Sequence, residues 1–509
     1  MTDDVSINDS NISIKKNKKQ ISQWVILFLI LLVGFGIRIY DLNDPPLYFH
    51  PTRQLRTLLI SRAAYYNFDR YVDAGLQQQA GDLASLEVYE PPILENIIGF
   101  IYLIIGGEKF WIGRVVNAFF WTTGGLFLYL IGKRSFRFGA VASGLLFYLS
   151  LPFSVIASRS MQPDPWMVFW IICSFFAIFT WSKQKKLKWA LISGIVGGIT
   201  ILVKGFAALY IVPVFAIVFL SEVNIKEIYK NLQIWVITIL VILPSLIYYL
   251  LLNPGRSSEF LSFWVVSLSG LIFTTEFYAD WLAMLKGLMG LGFFLTALLG
   301  VLIAPNRIKT ILIGGWMGYV LFGLVFPYQY VTHEYYHLAL VPLVTLSIMP
   351  LLSAVIEKLE GKHIIWIISA IGVVLFASIY GLYVSRSIMY AHDYAAEPIA
   401  WKNVGDAIPP NSPFVALTSD YGMRLRYYGW RIMSASWPNS ADLNLFALAG
   451  NDPLNYKTYF EEQTKGMDYF VVTAFNELDA QPELRDLLNE NFELFSEGDG
   501  YMIYDLQDR

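Results

Sequence analysis

The chain has a single cysteine, Cys173, set inside an apolar run, so no internal disulfide can form and no thiol pair can hold a metal. Charge is scarce as well: 15% of the residues are charged, 37 basic against 40 acidic. The resulting net charge of -3 gives no sign of a nucleic-acid partner. One short basic tract, Lys15 to Lys19, reads as a cytoplasmic anchor. Tandem repeats and low-complexity segments are lacking, which argues against a repeat-built transporter. No small-residue cleavage site follows the first apolar run, Trp24 to Tyr40, which ends at Arg38 and Asp41. That run therefore reads as a retained anchor rather than a signal peptide.

Apolar sequence is what the chain has in abundance. Hydrophobic residues make up 56% of it and the mean hydropathy is +0.50, which places it in a membrane. About eleven stretches are long enough to span a bilayer: 23–40, 112–132, 138–157, 165–182, 187–203, 206–220, 233–252, 282–303, 309–327, 335–355 and 363–384. The run Pro92 to Ile105 is shorter, follows a double proline and contains Glu95 and Asn96, so it suits an interfacial helix better.

Connectors rich in Lys and Arg stay in the cytoplasm. If 92–105 does not span, the basic connectors at 133–137, 182–188, 306–309 and 357–363 all fall on the side of the N-terminal lysines. The opposite face then receives the long first loop 41–111, the segment 158–164, the Lys204 turn, 253–281, 328–334 and everything after about 385. The expected organisation is a disordered cytoplasmic N-terminus (1–22), a transmembrane domain (23–384) and an extracytoplasmic α/β domain (385–509). In the last, Ser412 to Ser419, Tyr469 to Thr473 and Tyr501 to Leu506 read as strands, while Ala396 to Ala407 and Gln481 to Asn491 read as helices. The expected location is the plasma membrane.

Ionisable groups placed among such runs are costly and usually mark a substrate path. Arg159 and Asp164 lie between two apolar runs and read either as a reacting site or as a hydrated loop. Arg53 and Arg56 share one helical face and suit a phosphate clamp, or hold lipid headgroups nonspecifically. Glu90, ahead of the interfacial helix, reads as an acid/base group or as a helix N-terminal acid. Lys204 needs an anionic partner, for which a lipid phosphate is suitable, or else it snorkels. The segment His333 to His337 matches the H-E-x-x-H zinc signature, but no third ligand is apparent.

In this order, these residues resemble the GT-C glycosyltransferases, in particular the family of protein O-mannosyltransferases and lipid A aminoarabinose transferases. The likeness covers about residues 20–355. It rests on the Pro-Pro-aromatic entry Asp44 to Phe49, the segment Pro91 to Arg114, Arg159 to Asp164, the Lys204-Gly205 turn and the element His333 to Pro342. The resemblance implies a polyprenyl-phosphate sugar donor and transfer, usually inverting, to an acceptor on the extracytoplasmic face. Arg53, Arg56, Arg159 and Lys204 are then expected at the donor phosphate, and His333, Tyr336 and His337 at substrate. The acceptor class (protein, glycan or lipid) stays open, and so does a divalent cation.

The chain departs from the family pattern where an aspartate is expected after the first aromatic pair, since His50 stands there. Glu90 in turn stands where the family often has histidine. One expectation is that His50 and Glu90 meet across the site, Glu90 supplying charge and His50 the base. Another is that Asp164 or Asp44 is the acid. Two other classes remain beside the transferase: a lipid-intermediate transporter or membrane scaffold, and an intramembrane metalloprotease.

Overall fold

The computed structural model describes residues 3–86, 90–253, 262–450 and 454–507. In chain order the first half forms α1 (Asp3–Arg38), α2 (Pro51–Phe68), α3 (Ala74–Leu83), α4 (Ile93–Ile105), α5 (Trp111–Gly132), α6 (Phe138–Ser150), α7 (Pro152–Arg159), α8 (Pro163–Gln184), α9 (Leu187–Val203), α10 (Ala208–Glu222) and α11 (Leu232–Ile247). Helices Thr275–Met289, Leu291–Ile303, Asn306–Val325, Leu340–Leu359 and Ile364–Ala391 follow. Among the described residues eight helices are long and apolar enough to cross a membrane, or ten if two bent pairs each count as one span. The protein is a multi-pass membrane protein.

Every expected stretch forms helix, but three depart from a simple span. The stretch 138–157 divides into α6 and α7, bent by 59°, where Pro152 removes a backbone donor. The stretch 282–303 bends by 95° at Gly290, whose φ of 79° suits glycine; its first helix begins earlier, at Thr275. With 17 residues, α9 is short for a span. The expected outer connector 253–281 partly falls on residues 254–261, outside the described residues.

Burial orders the bundle. In α8, 89% of the apolar window is buried, against 11% in Ile364–Ala391, so α8 is the axis and Ile364–Ala391 lies at the rim. That rim helix turns Trp366, Val373 and Phe376 outward, as lipid contact requires. Close crossings use small residues: a Cβ at Gly198 of α9 would strike the Leu240 carbonyl of α11. The helix α4 has 13 residues, about 20 Å of rise, which is too short for a hydrocarbon core of about 30 Å. It packs on α2, where Gly99 leaves room for Ala64 and the Ser61 carbonyl.

The C-terminal region folds as a five-stranded sheet in the order β2-β1-β3-β5-β4. The strands are β1 (Phe414–Leu417), β2 (Ala435–Ser436), β3 (Tyr469–Val472), β4 (Leu494–Gly498) and β5 (Tyr501–Asp505). β1 is parallel to β2 and β3, whereas β5 is antiparallel to both β3 and β4. Alternate residues face opposite cores: Val415, Leu417, Phe470 and Val472 pack with Trp437, while Phe414, Ala416, Val471 and Ile503 pack with Trp401.

Arg62 latches this region to the first loop. Its guanidinium pairs with Glu108 at 2.8 and 3.1 Å, donates to the Tyr427 carbonyl, and lies 4.0 Å from the Tyr427 ring and 4.6 Å from Trp430. The Tyr427 hydroxyl donates to Glu108 in turn. Removing one partner of a buried pair costs about 3–5 kcal/mol. Arg62→Ala should therefore lower the melting temperature in detergent and expose the segment after Ala391 to trypsin. An unchanged melt with full protection would show that the latch carries no load.

Candidate active site

Asp164 stands in the first turn of α8, after Pro163, where the helix dipole favours an anion. Its Oδ1 accepts a hydrogen bond from Lys204 Nζ at 2.6 Å, and both side chains are 1% exposed. Its Oδ2 faces Arg53 Nη2 at 3.7 Å. Lys204 occupies the extended junction between α9 and the 3-10 turn Gly205–Ala207. Its ammonium is ringed by Phe206, Tyr335 and Tyr336 at 5.8, 5.7 and 5.4 Å. Arg53, in the first turn of α2, lies 5.2 Å from the Tyr335 ring.

Two cavities share Arg53, Arg56 and Glu90. The smaller, about 20 Å³, is closed by Glu95, Pro91, Pro92, Pro163 and Trp166. The larger, about 520 Å³, runs between apolar walls that include Ile201, Phe206, Leu209, Tyr249, Phe326 and Tyr336. The arrangement is amphiphilic, with charged groups at one end and a mostly apolar chamber behind them. Burial pushes the Glu95 carboxyl up to about 7, with nearby Glu90 adding to the rise and Arg56 and Thr57 opposing it.

His50 is the N-cap of α2 and has a left-handed backbone, φ 46°. Gln54 holds this turn: its Nε2 donates to the Pro46 and Phe49 carbonyls, and its Oε1 accepts from Met161 N. His50 Nε2 lies 3.1 Å from Glu334 Oε2, its ring stacks on His333 with centroids 5.7 Å apart, and Tyr335 meets it edge-on at 4.6 Å. Its acidic partner is thus Glu334, whereas Glu90 sits at the cavity mouth. Burial, then the charges of His50 and Arg53, lower His333 to about 4.

Arg159 is placed apart from the cavities. It donates to the Asp41 carbonyl at 3.0 Å, contacts Met389 and lies against Tyr48. His337 is also committed elsewhere, Nδ1 to the Tyr319 hydroxyl at 2.8 Å and Nε2 to the Tyr330 carbonyl at 2.7 Å. With both ring nitrogens engaged it has no lone pair for zinc, and Glu334–His337 forms a 3-10 turn rather than the α-helix that brings i and i+4 together. This overturns the metalloprotease reading. Gln54, Glu95, Glu334 and Tyr249 were not singled out as site residues by sequence reasoning. The sequence carried no distinct signal for Gln54, which stands among Thr52, Arg53, Arg56 and Thr57 in a polar first turn.

Two expected outcomes follow from the buried carboxylates. Lys204→Met would leave Asp164 buried without its hydrogen-bonded ammonium, Arg53 at 3.7 Å being the remaining cation, at a cost of up to about 3–5 kcal/mol. Adding Asp164→Asn should recover much of that in a thermal melt, and a double variant less stable than the single would contradict the pair's role. For Glu95, the folded carboxyl keeps its proton to higher pH than the unfolded one. Its contribution is full below the ordinary value of 4.5 and is lost as the pH rises to about 7. Glu95→Gln should flatten that part of the stability profile, with a gain above pH 7 of at most about 3 kcal/mol. Parallel profiles for parent and variant would contradict it.

Residues 89–248 match the family of dolichyl-phosphate-mannose-protein mannosyltransferases. No match is found among curated proteins. Among solved structures, ArnT from Cupriavidus metallidurans bound to undecaprenyl phosphate superposes with a TM-score of 0.58 at 15% identity, over 95% of this chain and 98% of that one. The oligosaccharyltransferase AglB from Archaeoglobus fulgidus, in complex with an inhibitory peptide and a dolichol-phosphate, has a TM-score of 0.58 at 14% identity, over 96% of this chain and 74% of that one. The chain is therefore a polytopic membrane protein with the GT-C fold that it shares with ArnT and AglB, and its segment 89–248 is similar to the dolichyl-phosphate-mannose-protein mannosyltransferases.

Proposed function

We propose that this protein transfers a sugar from a polyprenyl-phosphate-linked donor to an acceptor on the extracytoplasmic face, with inversion at the sugar. The observation that carries the reading is the pairing of a charged mouth, Arg53, Arg56 and Glu90, with a 520 Å³ chamber walled by apolar side chains. A phosphate on an isoprenoid chain has the same division of polarity. Arg53 and Arg56 grip the phosphate, and the chamber takes the first isoprene units. The structural relatives ArnT and AglB were solved with undecaprenyl phosphate and dolichol-phosphate respectively, which supports a donor of this class.

Lys204 contributes at one remove. Its ammonium is bonded to Asp164, and the two together set the field beneath the arginines. Glu90, beside both arginines, orients the donor sugar or holds a proton at the mouth, and Asp164 keeps one oxygen toward Arg53. His333 and Tyr336 line the route to the donor, while Arg159 and His337 support the walls.

The proposed location is the plasma membrane, N-terminus cytoplasmic and C-terminal sheet outside. Helix polarity supports this. Asp164 begins α8 and Lys183 ends it, so the site lies about 30 Å from a basic end, and basic ends face the cytoplasm. Arg114 likewise lies in the first turn of α5, with Lys133 and Arg134 just beyond its other end.

The test uses purified protein in nanodiscs with a panel of polyprenyl-phosphate pentoses and hexoses, following release of free polyprenyl phosphate. Arg53→Ala and Arg56→Ala should each weaken binding of polyprenyl phosphate about tenfold or more, since a charge-assisted bond in a water-poor site is worth about 1.5–3 kcal/mol. Unchanged affinity in both would reject the phosphate grip. Normal turnover in Glu90→Gln would remove Glu90 from the chemistry.

A further inference from the structure

The position where the resembling family places an aspartate is held here by His50, and its surroundings are built rather than accidental. A non-glycine residue with φ 46° is strained by about 1–2 kcal/mol, and Gln54 spends two hydrogen bonds fixing the carbonyls just before it. Strain kept in place this way is a common mark of a working residue. The His50 ring then meets Glu334 at 3.1 Å through Nε2, with His333 and Tyr335 around it.

The groups facing His50 are Glu334, His333 and Tyr335 from the 3-10 turn, and Arg53 from its own helix. His333 stays neutral at physiological pH, because burial lowers it to about 4. Glu334 is thus the anion at contact distance. His50 and Glu334 are 21% and 36% exposed, open to an incoming acceptor. Arg53 follows His50 by three residues on α2, about 4.5 Å along the axis. The two side chains therefore leave the same end of α2.

We propose that His50 and Glu334 are the acceptor-activating pair: His50 Nδ1 removes the proton of an acceptor hydroxyl, while the Glu334 carboxylate, 3.1 Å from Nε2, compensates the charge the ring gains. This rests on the transferase reading above. As the proton passes to Nδ1, the acceptor oxygen bonds to the sugar C1. The bond from C1 to the phosphate oxygen breaks, its electron pair staying on the polyprenyl phosphate, which gains one negative charge opposite Arg53 and Arg56. The proton then leaves His50 for solvent. Glu334 balances the imidazolium, as an aspartate does for histidine in hydrolytic triads. The H-E half of the H-E-x-x-H motif is thereby given a role without zinc.

The experiment measures polyprenyl phosphate release against pH for the parent, Glu334→Gln, Glu334→Asp, His50→Gly and the Glu334→Gln/His50→Gly double variant, with polyprenyl phosphate binding as the control for folding. Glycine accepts the left-handed turn, so His50→Gly keeps the backbone. The expected result is a loss of about 10²-fold or more in kcat/KM for Glu334→Gln and for His50→Gly. The double variant should fall no further, Glu334→Asp should recover part of the rate, and phosphate binding should be unchanged. The acidic limb of the profile should move to lower pH in Glu334→Gln. Carbon-13 histidine NMR should show the same downward movement for the His50 resonance, independently of turnover. Normal rates, or an unmoved limb and resonance in Glu334→Gln, would overturn the pair. If no donor in the panel releases polyprenyl phosphate in the parent, the transferase reading fails and the catalytic role fails with it; the NMR result then reports on the contact alone.

Discussion

The buried pair of Asp164 and Lys204 is the constraint on which the site depends. Two charges at 1% exposure are expensive to remove from water, so the sequence elements that carry them cannot separate without leaving one ion bare. The pair ties the start of α8, the bundle axis, to the junction after α9. Arg53 of α2 stands 3.7 Å from the same carboxylate, so the long loop after α1 is drawn to the same point. Three segments far apart in the chain are thereby held around one cavity mouth.

A second set of buried cations anchors the loop from below. Arg38 donates to Ser158, Ser154 and the Gly34 and Leu149 carbonyls, and Arg114 donates to the Asp41, Leu42 and Asp44 carbonyls. Arg159 adds the Asp41 carbonyl from the opposite side. Backbone carbonyls need donors where water is scarce, and guanidinium groups supply several at once. The irregular stretch between α1 and α2 is thus tied to the bundle, and Asp44 within it accepts from the backbone of Tyr394 just ahead of the sheet domain. The Arg62 latch completes the tie, so loop, bundle and domain form one support for the site.

Within that support the polar and apolar parts of the site lie side by side where helices begin and end. Charged groups lie at helix starts and junctions: His50 and Arg53 at the start of α2, Asp164 at the start of α8 and Lys204 between α9 and α10. The chamber is walled by apolar residues beside those same ends, such as Ile201 near the end of α9, Leu209 at the start of α10 and Phe326 just after Asn306–Val325. Where one end of a bundle is wet and its middle is not, a headgroup and its tail find their places without a dedicated domain.

The sequence by itself determined the membrane class, the order of the apolar helices and the strands Phe414–Leu417, Tyr469–Val472 and Tyr501–Asp505, because apolar run length and strand alternation are local properties; eleven stretches were long enough to span, against eight to ten spans among the described residues. It also singled out Arg53, Arg56, Glu90, Asp164 and Lys204, since charge among apolar runs is conspicuous at any level of structure, and His50 through its departure from the resembling family's pattern. It did not show the 95° bend at Gly290, where a lone glycine among apolar residues carries no sign of direction. Nor did it show the edge strands β2 and β4, one two residues long and the other largely exposed. Only the tertiary structure decided the partners: Glu334 rather than Glu90 for His50, Asp164 for Lys204, and the Asp41 carbonyl for Arg159. A side chain's type tells what it can bond, but its partner is set by which helices cross and at what depth, and that is a property of the packed bundle.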